Sequence, residues 1–287
     1  MKTKKIIPYL FIAPFLISFV VMFLYPATYS LVLSFFNYRG YGEAKFVGLS
    51  NYISLLKYEA FWKGMRNTAF YFILHIVPGI GLGFVFALVL HSQYTKRFQK
   101  IFKPILFLPQ IIPTMASAII FRILLARRTG AINQLFGLSI PWLEDASISR
   151  FAIVFFVCWR GIGWFMVIFL AGLTSINPEI YESARIDGAN AWKTCLKITI
   201  PLMKQTIFFA FIMDAISSFK IFTEVNALIA GSGMANTDVA PIMNQVTTNV
   251  TNGRFGMAAA AGWIIFFVIV CITLIEKLVI NGRKKED

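Results

Sequence analysis

Apolar residues in this chain come in long unbroken runs and do not alternate with polar ones. Six runs stand out: Tyr9–Leu33, Ala69–Leu90, Phe102–Leu125, Phe151–Leu173, Thr206–Leu228 and Ala258–Ile280. About 20 apolar residues suffice for a helix to cross the hydrocarbon core of a bilayer. Strands of a membrane barrel would alternate, so the pattern predicts an all-α polytopic membrane protein with six transmembrane helices. Pro14 and Pro26 predict kinks in the first run. That run exceeds the apolar core of a signal peptide, so it reads as a retained helix.

Between the runs lie three substantial connections. Residues 37–68 contain an amphipathic stretch, Leu49–Trp62, whose aromatics beside Lys57 and Lys63 suit a helix at the membrane interface. Residues 126–150 carry turn formers at Gly130, Gly137 and Pro141. The third connection, Tyr181–Pro201, is the polar exception in an apolar chain. Three segments follow: residues 1–66 (first helix and external stretch), 67–280 (the main membrane domain) and 281–287 (a tail).

Composition agrees with this reading. The 287 residues are 58% hydrophobic and 14% charged, with a mean hydropathy of +0.71; soluble domains carry about a quarter charged residues. A net charge of +14 raises the idea of nucleic acid, but the basic residues fall in separate loops. With the N-terminus inside, 15 Lys and Arg lie on the cytoplasmic side and 10 outside, while Arg160 and Lys220 fall within spans. That bias places both termini and the Tyr181–Pro201 loop in the cytoplasm. Cys158, Cys195 and Cys271 form no disulfide framework or metal spacing. His75 and His91 have no acidic or thiol neighbour in sequence, so no metal site is expected.

Within the third connection, Asn177-Pro178 reads as a helix start and Gly188 as its end. Glu179 and Glu182 favour the positive end of that helix. Helical spacing groups Ile180, Ala184 and Asp187 near one face, and a second segment runs from Ala191 to Ile198. Small side chains at Ser183, Ala184 and Gly188 would admit a partner backbone, with the carboxylates meeting a basic rim. Gly188-x4-Lys193-Thr194 is not a nucleotide loop, because Trp192 stands where a second glycine is needed.

Glu182-Ser183-Ala184, Gly188, Ile198 and Pro201 have the spacing EAA-x3-G-x9-I-x-L-P, with Ser183 and Ile200 as the two departures. This resembles the EAA loop of permease subunits of binding-protein-dependent ABC importers. Further strings resemble the carbohydrate branch of that family: Gly48-Leu49-Ser50-Asn51-Tyr52, Phe61-Trp62, Asn67-Thr68, Phe107-Leu108-Pro109, Pro141-Trp142-Leu143 and Phe169-Leu170-Ala171-Gly172-Leu173. The resemblance implies a type I importer fold whose cytoplasmic coupling helix carries Glu182, Ser183, Ala184, Asp187 and Gly188. It also implies a second, homologous permease, two cytoplasmic ATPase subunits, an external solute-binding protein and a carbohydrate cargo. The expected location is a prokaryotic inner membrane. The subunit would have no cofactor and no chemistry of its own.

Ionisable residues within spans are costly and usually face protein or water. The fifth run is the richest, and Asp214, Ser217, Ser218, Ile221 and Val225 fall on one face of a continuous helix. Asp214, Ser217, Ser218, Phe219, Phe222 and Glu224 are therefore candidates for a cargo path. Lys220 and Glu224 could equally form an i,i+4 ion pair. Arg160 reads as a gate or packing element, and Gly79, Gly81 and Gly83 as close-packing sites. Three alternatives stay open: a proton-coupled secondary transporter using Asp214 and Glu224, a membrane scaffold, and an ABC permease for a non-sugar solute.

Overall fold

The computed structural model describes residues 7–92, 95, 97–231 and 238–282. They are almost wholly helical. The first span joins α1 (Ile7–Phe19) to α2 (Tyr25–Leu33) through a π-helical turn at Val20–Leu24. The wider turn lies just ahead of Pro26, whose ring would otherwise press on the carbonyl four residues back. Strands β1 (Phe36–Asn37) and β2 (Lys45–Phe46) form a two-stranded antiparallel ladder pairing Phe36 with Phe46. The expected interfacial helix is shorter than Leu49–Trp62: α3 covers Ser50–Lys57 and stops at extended Tyr58. Phe61 and Trp62 already belong to α4 (Glu59–His75).

Helix α4 continues through a π turn at Ile76–Gly81, around Pro78, into α5 (Leu82–His91). Then follow α6 (Gln99–Ile111), α7 (Thr114–Leu124), α8 (Ala131–Phe136) and the 29-residue α9 (Ala146–Thr174). The polar connection forms α10 (Pro178–Ile186), α11 (Ala191–Thr194), a π turn at Cys195–Thr199 and α12 (Ile200–Leu202). The remainder is α13 (Lys204–Phe219), α14 (Thr223–Ile229), α15 (Met243–Thr251) and α16 (Phe255–Gly282).

Among the described residues, four helices are individually long and apolar enough to cross a membrane, and six spans result if each of two bent pairs counts as one. The first bent pair corrects the expectation of a single continuous helix over Phe102–Leu125. Between α6 and α7 the axis turns by 95°. Pro113 cannot donate a backbone N–H, and it forces Ile112 into extended backbone at ψ 134°. Between the Ala191–Leu202 segment and α13 the turn is 71°. The predicted run Thr206–Leu228 is itself interrupted, since α13 ends at Phe219 and α14 restarts at Thr223.

The chain forms two compact units: residues up to Trp62 with Asn244–Phe267, and Lys63–Met243 with residues from Val268 onward. In the first, Asn51 donates to the carbonyls of Ser34 and Phe36 at 2.8 and 2.9 Å, tying α3 to the end of α2. The second is organised on α9. Buried Phe165, Met166, Phe169 and Leu173 pack with Ile80, Ala87 and Leu90 of the second span. A Cβ on Gly83 would lie 2.7 Å from that of Phe165, and one on Gly163 would collide with the Leu106 carbonyl of α6. These glycines let neighbouring helices meet backbone to backbone. Gly81, by contrast, faces open space.

Candidate functional site

Two places in the second unit concentrate polar groups. The first is the knob made by α10 and its flanks. Asn177 caps α10 by accepting from the Glu179 amide at 3.1 Å, with Pro178 in the first turn. At the other end Gly188 adopts φ +73°, and the Ala189 amide donates to the Ala184 carbonyl at 2.9 Å. That six-to-one bond with a left-handed glycine is a Schellman closure. Asn190 then caps α11 through the Lys193 amide at 2.8 Å. Three sequence-local devices thus fix one rigid corner.

Glu182, Ser183, Asp187 and Gly188 are exposed on this corner. Ala184 is not: it is 5% exposed and turned inward. Its small size therefore serves packing inside the protein, and it does not share an exposed face with Asp187. No heavy atom lies within 4 Å of a Cβ added at Gly188, so the glycine is required by backbone conformation and not by crowding. Two residues that sequence reasoning passed over stand out at the knob: Ile186 is 86% and Trp192 72% exposed. The signal was available, since both are large apolar side chains in an otherwise polar loop.

The second place is the middle of the helical bundle. Arg160, on the unbroken α9, reaches two of the helix interruptions, those at Ile112–Pro113 and Lys220–Phe222. Its Nε donates to the Pro109 carbonyl at 3.4 Å and one terminal nitrogen to the Ile112 carbonyl at 3.5 Å. The Pro109 carbonyl would ordinarily accept from residue 113, which is a proline, so it needs a donor from elsewhere. The other terminal nitrogen pairs with Glu224 at 3.5 Å. Glu224 also reaches back to the Phe222 amide at 3.4 Å, capping the restart at α14. The alternative of a Lys220–Glu224 pair gives way to this arrangement, because the helix is not continuous between them.

The same interruption corrects the single-face reading of the fifth run. Asp214, Ser218 and Phe219 are buried, Ser217 is exposed, and Phe222 and Glu224 are half-buried. Phe219 packs its ring 6.2 Å from that of Phe72. Asp214 meets His75 Nδ1 at 2.5 Å, with both side chains almost fully enclosed. The imidazole lies in a slot between two glycines: a Cβ on Gly79 or Gly161 would come within 2.6 or 2.9 Å of the ring. Sequence reasoning left His75 without a partner because it sought one nearby in the chain. The usable rule was that ionisable groups in different spans pair with one another. Among the described residues no cluster of His, Cys, Asp and Glu could hold a metal ion.

Residues 79–285 match the profile of the family described as binding-protein-dependent transport system inner membrane component. The chain belongs to this family. The permease is 34% identical, over 99% of its length and 91% of the relative, to the arabinooligosaccharides transport system permease protein AraP of Bacillus subtilis (strain 168). It is 29% identical to the lactose transport system permease protein LacF of Rhizobium radiobacter, covering 96% of this chain and 94% of that protein. A chain of the bacterial alginate ABC transporter, solved in complex with an alginate pentasaccharide-bound periplasmic protein, superposes with a TM-score of 0.81 at 24% identity. That match covers 96% of this permease and 93% of the alginate transporter chain. The permease is thus an inner-membrane transport subunit with the fold of an ABC importer.

Proposed function

We propose that this permease carries a sugar or oligosaccharide inward by alternating access, driven by ATP hydrolysis on separate subunits. The reading rests chiefly on the knob, a rigid exposed corner formed by a chain that lacks a nucleotide loop. Glu182, Ser183, Asp187 and Gly188 shape its docking face, with Ile186 and Trp192 as apolar anchors and Ala184 as the internal packing point. Exposed aromatic and aliphatic residues beside charge suit a groove on a partner protein. Two cytoplasmic ATPase subunits fit that role, together with a homologous second permease and an external solute-binding protein. Both termini and the knob lie in the cytoplasm in this arrangement. Residues 67–280 form the translocation domain, preceded by an accessory segment (1–66) and followed by a tail (281–287).

Carbohydrate cargo is supported by the relatives, which are named for arabinooligosaccharides and lactose. Phe222, Glu224 and Arg160, at two helix interruptions, offer an aromatic face and charged hydrogen-bonding groups to sugar hydroxyls. Broken helices that free polar backbone are the usual lining of transporter sites. Ser217 extends this path, while Asp214, Ser218 and Phe219 hold its wall in place.

The decisive test compares two substitutions at Gly188 in the complete importer. Asn tolerates left-handed backbone, whereas Val is strained there by roughly 1–2 kcal/mol. Gly188→Asn is expected to keep cargo-stimulated ATPase activity and Gly188→Val to lose most of it, with membrane insertion intact in both. Equal transport by the two variants would refute a mechanical role for the corner. A ligand screen on the copurified binding protein then reads the cargo, and a ligand without sugar hydroxyls would refute that part.

A further inference from the structure

A basic pocket of about 340 Å³ lies where α4 and α9 begin, lined by Lys63, Arg66, Asn67, Phe70 and Arg150. Lys63, Arg66 and Phe70 share one face of α4 at helical spacing. Of its three cations, Lys63 pairs with the Asp238 carboxylate at 2.5 Å. Arg150 donates to the Asp238 carbonyl at 3.2 Å, while its buried Nε has no partner among the described residues. Arg66 is exposed and makes no ion pair among the described residues. Two guanidinium side chains thus line one cavity, which is the chemistry that recognises phosphate oxygens.

The surroundings narrow the source of that phosphate. Phe70 lines the pocket, and its ring lies 5.6 Å from that of Phe151. Beyond them the same faces turn apolar and exposed, with Ile73 at 62% and Val77 at 76% in the second span, and Phe151 at 60% and Phe155 at 61% on α9. A free anion would use only the cationic half of this surface, and an acidic protein segment would not follow greasy helix faces into the bilayer. A lipid uses both halves.

We infer that the pocket binds the headgroup phosphate of an anionic phospholipid whose acyl chains descend over Ile73, Val77, Phe151 and Phe155. On the orientation proposed above, this lipid belongs to the outer leaflet of the inner membrane. Each cation near an anionic headgroup changes binding roughly fivefold, so losing Arg66 has a measurable effect while Lys63 and Arg150 remain.

The test uses the intact importer with phosphatidylglycerol as the probe. Phosphatidylglycerol retained through purification is counted by native mass spectrometry. The thermal midpoint is also measured with phosphatidylglycerol, with phosphatidylcholine and with inorganic phosphate. Wild type is expected to retain phosphatidylglycerol and to be stabilised by it over phosphatidylcholine. Arg66→Gln should lower retention roughly fivefold, and Arg66→Lys should restore most of it. Ile73→Ser should weaken retention with all three cations in place. Equal retention by wild type and Arg66→Gln overturns the inference. So does a thermal shift from inorganic phosphate matching that from the lipid, which would mark a free-anion site. Capture of the solute-binding protein by a photocrosslinker at position 66, with lipid retention unchanged, overturns it in favour of a protein contact.

Discussion

The two helix interruptions that meet at Arg160 are built differently. At Ile112–Pro113 the cause is covalent: a proline without an N–H, preceded by a residue that proline holds extended. At Lys220–Phe222 there is neither proline nor glycine. Phe222 leaves the helix at φ −152°, and the restart is held by Glu224, which caps it and pairs with Arg160. Burial of Ile221 and Val225 adds to this. The first bend would persist in an isolated segment, whereas the second depends on the rest of the bundle. A site made where one fixed and one conditional bend meet can change shape by releasing only the conditional one.

The comparison is broken most severely by removing the group common to both bends. Arg160→Met takes the shared guanidinium away from the Pro109 and Ile112 carbonyls and from the Glu224 carboxylate, which keeps the Phe222 amide. A loss of about 2 kcal/mol is expected, below the range for fully buried pairs because the contacts are long and partly exposed. Detergent-denaturant titration of the purified subunit measures it. Glu224→Gln keeps size and capping ability but gives up charge, so it should cost roughly 1 kcal/mol alone and clearly less in the Arg160→Met background. Additive losses would show that the two side chains do not act as a pair.

Pro113→Ala sharpens the contrast further. It returns an N–H that can serve the Pro109 carbonyl, so Arg160→Met should then cost about 1 kcal/mol less. An unchanged cost would sever the proposed link between Arg160 and the proline bend. The smallest effect concerns a purely local device, the Asp145 cap of α9. Its side chain accepts hydrogen bonds from the Ser147 hydroxyl and from the Ser147 and Ile148 amides, which hold the carboxyl below its ordinary value of 3.8. A lowered carboxyl contributes stability above the ordinary value and loses it as pH falls through the lowered one. Asp145→Asn keeps an acceptor that does not titrate, so it should flatten this slight acid-side loss. An identical acid limb in both proteins would refute the assignment.

What could be read from the amino acids follows the same division. The knob was legible because Asn177, Gly188 and Asn190 act on backbone groups within a few residues. The six apolar runs were legible because oil solubility is a local sum. The bend at Pro113 carried its own marker, although the run was taken as one helix because its hydropathy does not dip there. The break at Lys220 had no marker, and the face drawn through Asp214, Ser217 and Val225 failed with it. His75 and Asp214 lie 139 residues apart, and only the packing of α4, α9 and α13 brings them together. The exposed Ile186 and Trp192 were visible but undervalued beside the charges around them.

Of the four long apolar helices among the described residues, the first is the least enclosed: no part of its most apolar stretch within Tyr9–Leu33 is buried within the chain. Side chains such as Phe11, Phe15 and Met22 lie largely open to whatever surrounds the protein. Such a segment is selected for thickness and greasiness, not for shape. Its first part, residues 9–24, should accept wholesale exchange for an unrelated leucine-rich stretch of equal length, a liberty that α9, wedged by its glycines, would never tolerate.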